Sequence, residues 1–131
     1  MKRTAINPTD WSLRFGFNQG ELLESPSQLL VLSGQVSIDD KGRPQHAGDM
    51  AGQVGLALDN IEAAAKAAGM TLANVARVTI FTTDMDAMLA ASGSLIERFK
   101  KAGITPAQTM IGVNRLAMPD LMVELEAILA D

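Results

Sequence analysis

The chain has 131 residues, 47% of them apolar and 20% charged, with one histidine, no cysteine and a formal net charge of −4. That length is enough to bury a core without covalent staples, and the missing cysteines exclude a disulfide framework and a thiolate zinc site. Nucleic-acid binding normally needs a basic patch, whereas Lys2-Arg3 and Lys100-Lys101 are the only basic doublets here.

No apolar core of a signal peptide follows Lys2-Arg3 before Asn7-Pro8, and no run approaches the roughly 18 apolar residues of a membrane span. The expectation is one cytoplasmic domain over residues 1–131. Residues 1–12 read as a polar entry arm. Leu13, Phe15 and Phe17 then alternate with Arg14, Gly16 and Asn18, the pattern of a half-buried strand. Glu21 to Gln28, with Ser25-Pro26-Ser27, reads as a turn. Leu29 to Leu32 is a short continuous apolar strand, expected to be covered on both faces, running into Ser33-Gly34-Gln35, and Val36 and Ile38 carry it to a hairpin-type turn at Asp39-Asp40-Lys41-Gly42. Arg43 to Gly48 is loop.

Asp49 suits the N-cap of a first helix and Gly69 its stop; between them Val54, Leu58, Ile61, Ala65 and Ala68 recur at helical spacing. Val75 to Phe81 is β-branched and strand-like. Thr83 or Asp84 caps a second helix to about Lys101, closed by Gly103, with Met88, Leu95, Ile96 and Phe99 as its buried stripe and Ser92 on the same side. Thr109 to Leu116 and Leu121 to Leu129 are the last strands, joined by a turn at Met118-Pro119-Asp120. Three strands, then helix, strand, helix and two strands predict a two-layer α+β domain: a mixed sheet with two helices packed on one face.

Glu124 and Glu126 stand two apart on the last strand, so their carboxylates share a face, flanked by Met122 and Ile128. The alternate residues Leu121, Val123, Leu125, Ala127 and Leu129 are apolar and form the helix-packed face. The glutamates are open to three readings: a solvated face, ion-pair partners for Arg115 or Arg77, or groups that position water and act as general base at a face covered by a partner subunit. His46 lies in a Gly/Pro-rich loop where a solvated imidazole is the default. Trp11 either packs the entry arm or lines a pocket mouth. No phosphate loop, nucleophile elbow or metal-spaced set of carboxylates and histidines is present.

Ser33-Gly34-Gln35, then Asp59-Asn60-Ile61 with Ala67-Ala68-Gly69, then Val78 to Met85, Pro106-Ala107, Arg115-Leu116 and Val123-Glu124-Leu125-Glu126-Ala127 occur in that order. Together they resemble the RidA (YjgF) family, over about Phe15 to Ala130. The resemblance implies a homotrimer of the chorismate-mutase-like fold, with small-molecule sites in clefts between subunits and no cofactor or metal. It implies hydrolysis of imines or enamines, a deaminase reaction. Ser33 matches the family's serine, and Glu124 matches the glutamate that handles water. The tyrosine of the family's Gly-Pro-Tyr-Ser motif falls on Phe17, or on Asn18 after a one-residue shift. The family's helix asparagine falls on Ser92, and its carboxylate-binding arginine on Gln108.

Gln108 is the departure. A guanidinium grips a carboxylate by two charge-assisted bonds, and a neutral amide cannot replace it. Arg14 and Arg115 are the candidate replacement cations, so Arg115 joins the substrate-binding set. Two function classes follow: an imine hydrolase with altered substrate preference, distinct from 2-iminopropanoate deamination, or a non-catalytic trimer that binds a metabolite or another protein.

Overall fold

The helix boundaries follow from the capping residues. In the computed structural model, which describes residues 1–131, helix α1 runs Met50–Ala67 and the Asp49 side chain accepts a hydrogen bond from the Gly52 N–H, satisfying a donor that the helix start leaves unpaired. Gly69, at φ +74°, ends it. Helix α2, Met85–Lys101, starts in the same way: Asp84, rather than Thr83, accepts from the Ala87 N–H. Val54, Leu58, Ile61 and Ala65 of α1 and Met88, Leu95 and Phe99 of α2 are buried together. Arg98 ties the helices outside the core through Asp59 at 2.8 Å and Glu62 at 3.2 Å.

Both helices lie on one mixed sheet. In chain order, β1 is Lys2–Ile6, β2 Gly20–Glu24, β3 Leu29–Val31, β4 Gln35–Val36, β5 Val75–Thr82, β6 Ala107–Gly112 and β7 Val123–Ala130. The main sheet has the order β3-β7-β5-β6, with β4 also on β7. Strand β7 is antiparallel to its neighbours, while β6 runs parallel to β5, as a strand–helix–strand crossover through α2 requires. The core face of β7 is the expected one: Leu121, Val123, Leu125, Ala127 and Leu129 are all buried.

The N-terminal third corrects the sequence reading. The polar arm contains β1 and the expected turn contains β2; they pair as an antiparallel ribbon from Lys2↔Glu24 to Ile6↔Gly20. Polar cross-strand contacts hold this ribbon, which is why apolar alternation does not mark it. Arg3 pairs with Glu21 at 3.0 Å and donates to the carbonyls of Ala73 and Val75. The expected strand at Leu13–Phe17 is a single 3-10 turn, Leu13–Phe15, ended by Gly16 at φ +80°. Five alternating residues are too few to separate the two periods.

Strand β6 begins two residues earlier than expected and stops at Gly112, where Val113 turns its N–H to the Thr82 carbonyl at 2.8 Å. Gln108 is therefore inside the strand, not before it, and Arg115 is outside it. Leu121 precedes β7, its N–H bonded to the Met118 carbonyl at the expected turn.

Candidate functional site

Gly16 brings the aromatic residues to α2. A side chain there would meet the Ile96 Cγ2 at 2.8 Å, and the residue's φ of +80° is one that glycine adopts without strain. Phe15 and Phe17 thereby flank a cleft of about 230 Å³ between α2 and the edge strand β6. Leu89, Ser92, Leu95 and Ile96 form its helix wall, and Gln108 and Met110 its strand wall. Trp11 buttresses both phenylalanines edge-on, with ring centroids 6.4 Å from Phe15 and 5.7 Å from Phe17.

The cleft has two polar side chains. The Ser92 hydroxyl donates to the Leu89 carbonyl at 2.7 Å, which spends its proton within the helix and leaves its lone pairs as acceptors. The Gln108 amide has no hydrogen-bond partner in the chain, and no cation lines the cleft. Arg14 is the nearest approach to one: its guanidinium carbon is 4.9 Å from the centre of the Phe15 ring, a cation–π contact at the rim. Asn18 is turned away. It is buried in a network with Asn7 at 2.8 Å and Glu21 at 3.0 Å, which anchors the ribbon.

Ser33 and Glu124 lie elsewhere. Gln108 is in register with Val78, and Val78 with Ala127, so all three project to the helix side. Glu124 is in register with Phe81 and projects to the opposite face. There its carboxylate lies against the backbone of Gly34, so close that any side chain at Gly34 would overlap it. The Ser33-Gly34-Gln35 landmark thus has a local cause: the glycine admits the glutamate. Glu124 is half-buried and Glu126 exposed.

No helix covers that face. Leu29, Val31, Ile111 and Ile128 are 59%, 71%, 40% and 37% exposed on or beside it, so within the chain the strand at Leu29 is covered on one face, by way of Leu30 and Leu32, and not on both. Arg77 is on it too, donating to the Thr109 hydroxyl at 2.8 Å. Neither glutamate is in any ion pair of the chain, so pairing with Arg77 or Arg115 does not occur. Arg115 lines a third region with Thr83, Asn114 and Pro119.

The six residues singled out by sequence therefore divide: Phe17, Ser92 and Gln108 in the cleft, Glu124 on the bare face, Ser33 exposed in the segment between β3 and β4, and Arg115 with none of them. Sequence reasoning missed Phe15, Leu89 and Met110 as cleft walls. Leu89 carried a signal, since it stands at helical spacing from Ser92 and Ile96 yet remains 55% exposed. No three His, Asp or Glu side chains gather in a metal-binding group, and no helix is long and apolar enough to cross a membrane.

Comparison with known proteins follows the same outline. The profile described as endoribonuclease L-PSP matches residues 17–130. A RutC family protein of Pyrococcus horikoshii is 34% identical over 99 residues, 76% of each chain. The 2-iminobutanoate/2-iminopropanoate deaminase of Escherichia coli K12 is 30% identical over 101 residues, 76% of this chain and 77% of that one. A solved Yersinia pestis structure, a protein of unknown function of the conserved Rid family, superposes with a TM-score of 0.90 at 30% identity over the whole of both chains.

Proposed function

Because the chain belongs to the endoribonuclease L-PSP (RidA/YjgF) family, we propose that it is a cytoplasmic imine or enamine hydrolase retuned away from 2-imino acids. The observation that carries this is the division of the site between two faces of one sheet. Gln108 and Glu124 project to opposite sides of the sheet, and no movement of side chains within one chain brings them together. Two copies do so when the bare face of one seats beside the aromatic cleft of the next. The exposed aliphatic residues Leu29, Val31, Ile111 and Ile128 are the surface such packing covers. Closed cyclic repetition of that contact gives the homotrimer, with three clefts between subunits.

In such a cleft Glu124 accepts a proton from water as the water oxygen bonds to the imine carbon. The C=N π pair moves to nitrogen, which takes that proton back from Glu124. The hydroxyl proton of the adduct then passes to nitrogen as the C=O bond forms and the C–N bond breaks, releasing ammonia and the carbonyl product. Ser33 and Gln108 hydrogen-bond the substrate, Phe17 and Ser92 shape its pocket, and no cofactor enters.

Gln108 sets the preference. A charged anchor typically contributes several kcal/mol more in the transition state than a neutral amide, so a substrate that depends on a carboxylate grip is a poor one here. Arg14, at the cleft rim, is better placed than Arg115 to supply a substitute charge. The ribonuclease in the family description requires phosphate contacts, and no lysine or arginine lines this cleft.

The test is ammonia release from enzymatically generated imines, with and without a carboxylate. Turnover confined to imines without one is the expected result, together with a trimer by sedimentation. The absence of a charged anchor also favours a second reading, a trimer whose clefts bind a metabolite or meet another protein without catalysis; silence on both imine classes selects it.

A further inference from the structure

Hydrogen-bond capacity in the aromatic cleft is specific in kind. Gln108 presents one acceptor, Oε1, and the donors of Nε2, none of them engaged within the chain. Ser92 presents acceptor lone pairs only, because its proton is held by the Leu89 carbonyl at 2.7 Å. The walls around them, Phe15, Phe17, Ile96 and Met110, are apolar. A ligand that satisfies this set offers two N–H donors and one carbonyl acceptor on a small apolar body, without charge.

A primary carboxamide has that inventory and a carboxylate has the opposite one. A carboxylate brings no donor to Oε1 or to Ser92 Oγ, and it brings an ionised group into a cleft without a lining cation, which is costly. We propose that the cleft recognises a small apolar primary amide: its carbonyl accepts from Gln108 Nε2, one N–H donates to Gln108 Oε1, and the other donates to Ser92 Oγ. Gln108 and Ser92 are thereby the specificity-determining pair. This rests on the assignment of the cleft as the ligand site, and it specifies what replaces the carboxylate there.

Three probes of one shape separate the terms: benzamide, methyl benzoate, which is neutral but has no N–H, and benzoate. Titration of the full chain, with Met110 labelled at its methyl carbon, locates each probe in the cleft and yields its Kd. Benzamide is expected to shift the Met110 methyl and to bind roughly tenfold tighter than methyl benzoate, with benzoate weakest. Ser92→Ala is expected to weaken benzamide severalfold and leave methyl benzoate unchanged, a difference that a general loss of packing does not produce. Gln108→Arg is expected to reverse the order of benzamide and benzoate.

Equal binding of benzamide and methyl benzoate overturns the proposal, as does tighter binding of benzoate or no shift at Met110 with any probe. The measurement reads binding without turnover. Preference for benzoate alongside imine hydrolysis removes this inference alone, whereas preference for benzamide without any imine hydrolysis sustains it and removes the hydrolase.

Discussion

Alternate side chains of β7 meet two different environments. Towards the helices, Val123, Leu125 and Leu129 are fully buried in the core, together with α1 and α2. Away from them, Glu124 is half-buried and Ile128 exposed, beside Val31. The first face is explained by the stability of the chain itself, since burying a leucine contributes about 1.5–3 kcal/mol. The second is not: the Glu124 carboxylate makes no hydrogen bond or ion pair within the chain, and exposed aliphatic residues stabilise nothing until something covers them. Residues that a fold does not use are those available for assembly and chemistry.

The largest expected effect that separates the two faces is on turnover. Glu124→Gln removes the proposed base while keeping the side-chain volume, and ammonia release from a carboxylate-free imine should fall about 10²–10⁴-fold. Because no intrachain hydrogen bond is lost, the urea unfolding midpoint should stay close to that of the parent. Undiminished activity would remove Glu124 from the mechanism. The core face should behave in the opposite way. Leu125→Ala is expected to cost about 2–5 kcal/mol in urea unfolding, whereas Ile128→Ala should cost less than about 1 kcal/mol in the dissociated chain. Sedimentation at micromolar concentration should show the Ile128 variant shifted towards monomer. If both variants lose stability equally and neither dissociates, the bare face is not an interface.

The parts legible in the sequence are those with strong local causes. Asp49, Asp84, Gly69 and Gly103 bound the helices by capping chemistry that acts within a single turn. The alternation across β7 survives eight residues and identifies both of its faces. The β1–β2 ribbon is illegible because its partners are far apart in the chain, from Lys2↔Glu24 to Ile6↔Gly20, and its contacts are polar, as between Arg3 and Glu21. The aromatic turn at Leu13–Phe15 looked like a strand because Gly16 breaks the pattern only through its backbone angle. Of the candidate site, the sequence offers residues in order along the chain but not their arrangement: the division of Gln108 from Glu124 depends on strand register, and register is a property of the paired sheet.

Gly34 allows a finer comparison, since the Glu124 carboxylate occupies the space that a side chain there would need. Gly34→Ala places a methyl group where the Glu124 carboxylate lies, and because a free, half-buried side chain is what must give way, the cost should stay below about 1 kcal/mol. Activity should fall with it, because the carboxylate must move. Adding Glu124→Ala should restore most of the stability without the activity, and the double-mutant cycle in urea reads the coupling directly. Additive losses would mean that Gly34 is needed for its backbone alone.

The smallest expected effect serves as a control that belongs to neither face. The hairpin turn after β4 is held by the Asp39 carboxylate, which accepts from the N–H groups of Arg43 and Lys41, each at 2.9 Å. The Arg43 backbone N–H is the largest influence, and together these bonds hold the Asp39 carboxyl below its ordinary value. A lowered folded-state value means that the ionised form is bound more favourably in the folded chain. The contribution is therefore present above the ordinary carboxylate range and is lost as pH falls through the lowered value. Amide resonances of Lys41 and Arg43 should titrate together in that acid window, and Asp39→Asn should abolish the titration. At neutral pH the same variant should leave imine turnover and subunit association unchanged. A change in either would tie the hairpin to the assembled site and blur the boundary between the two faces.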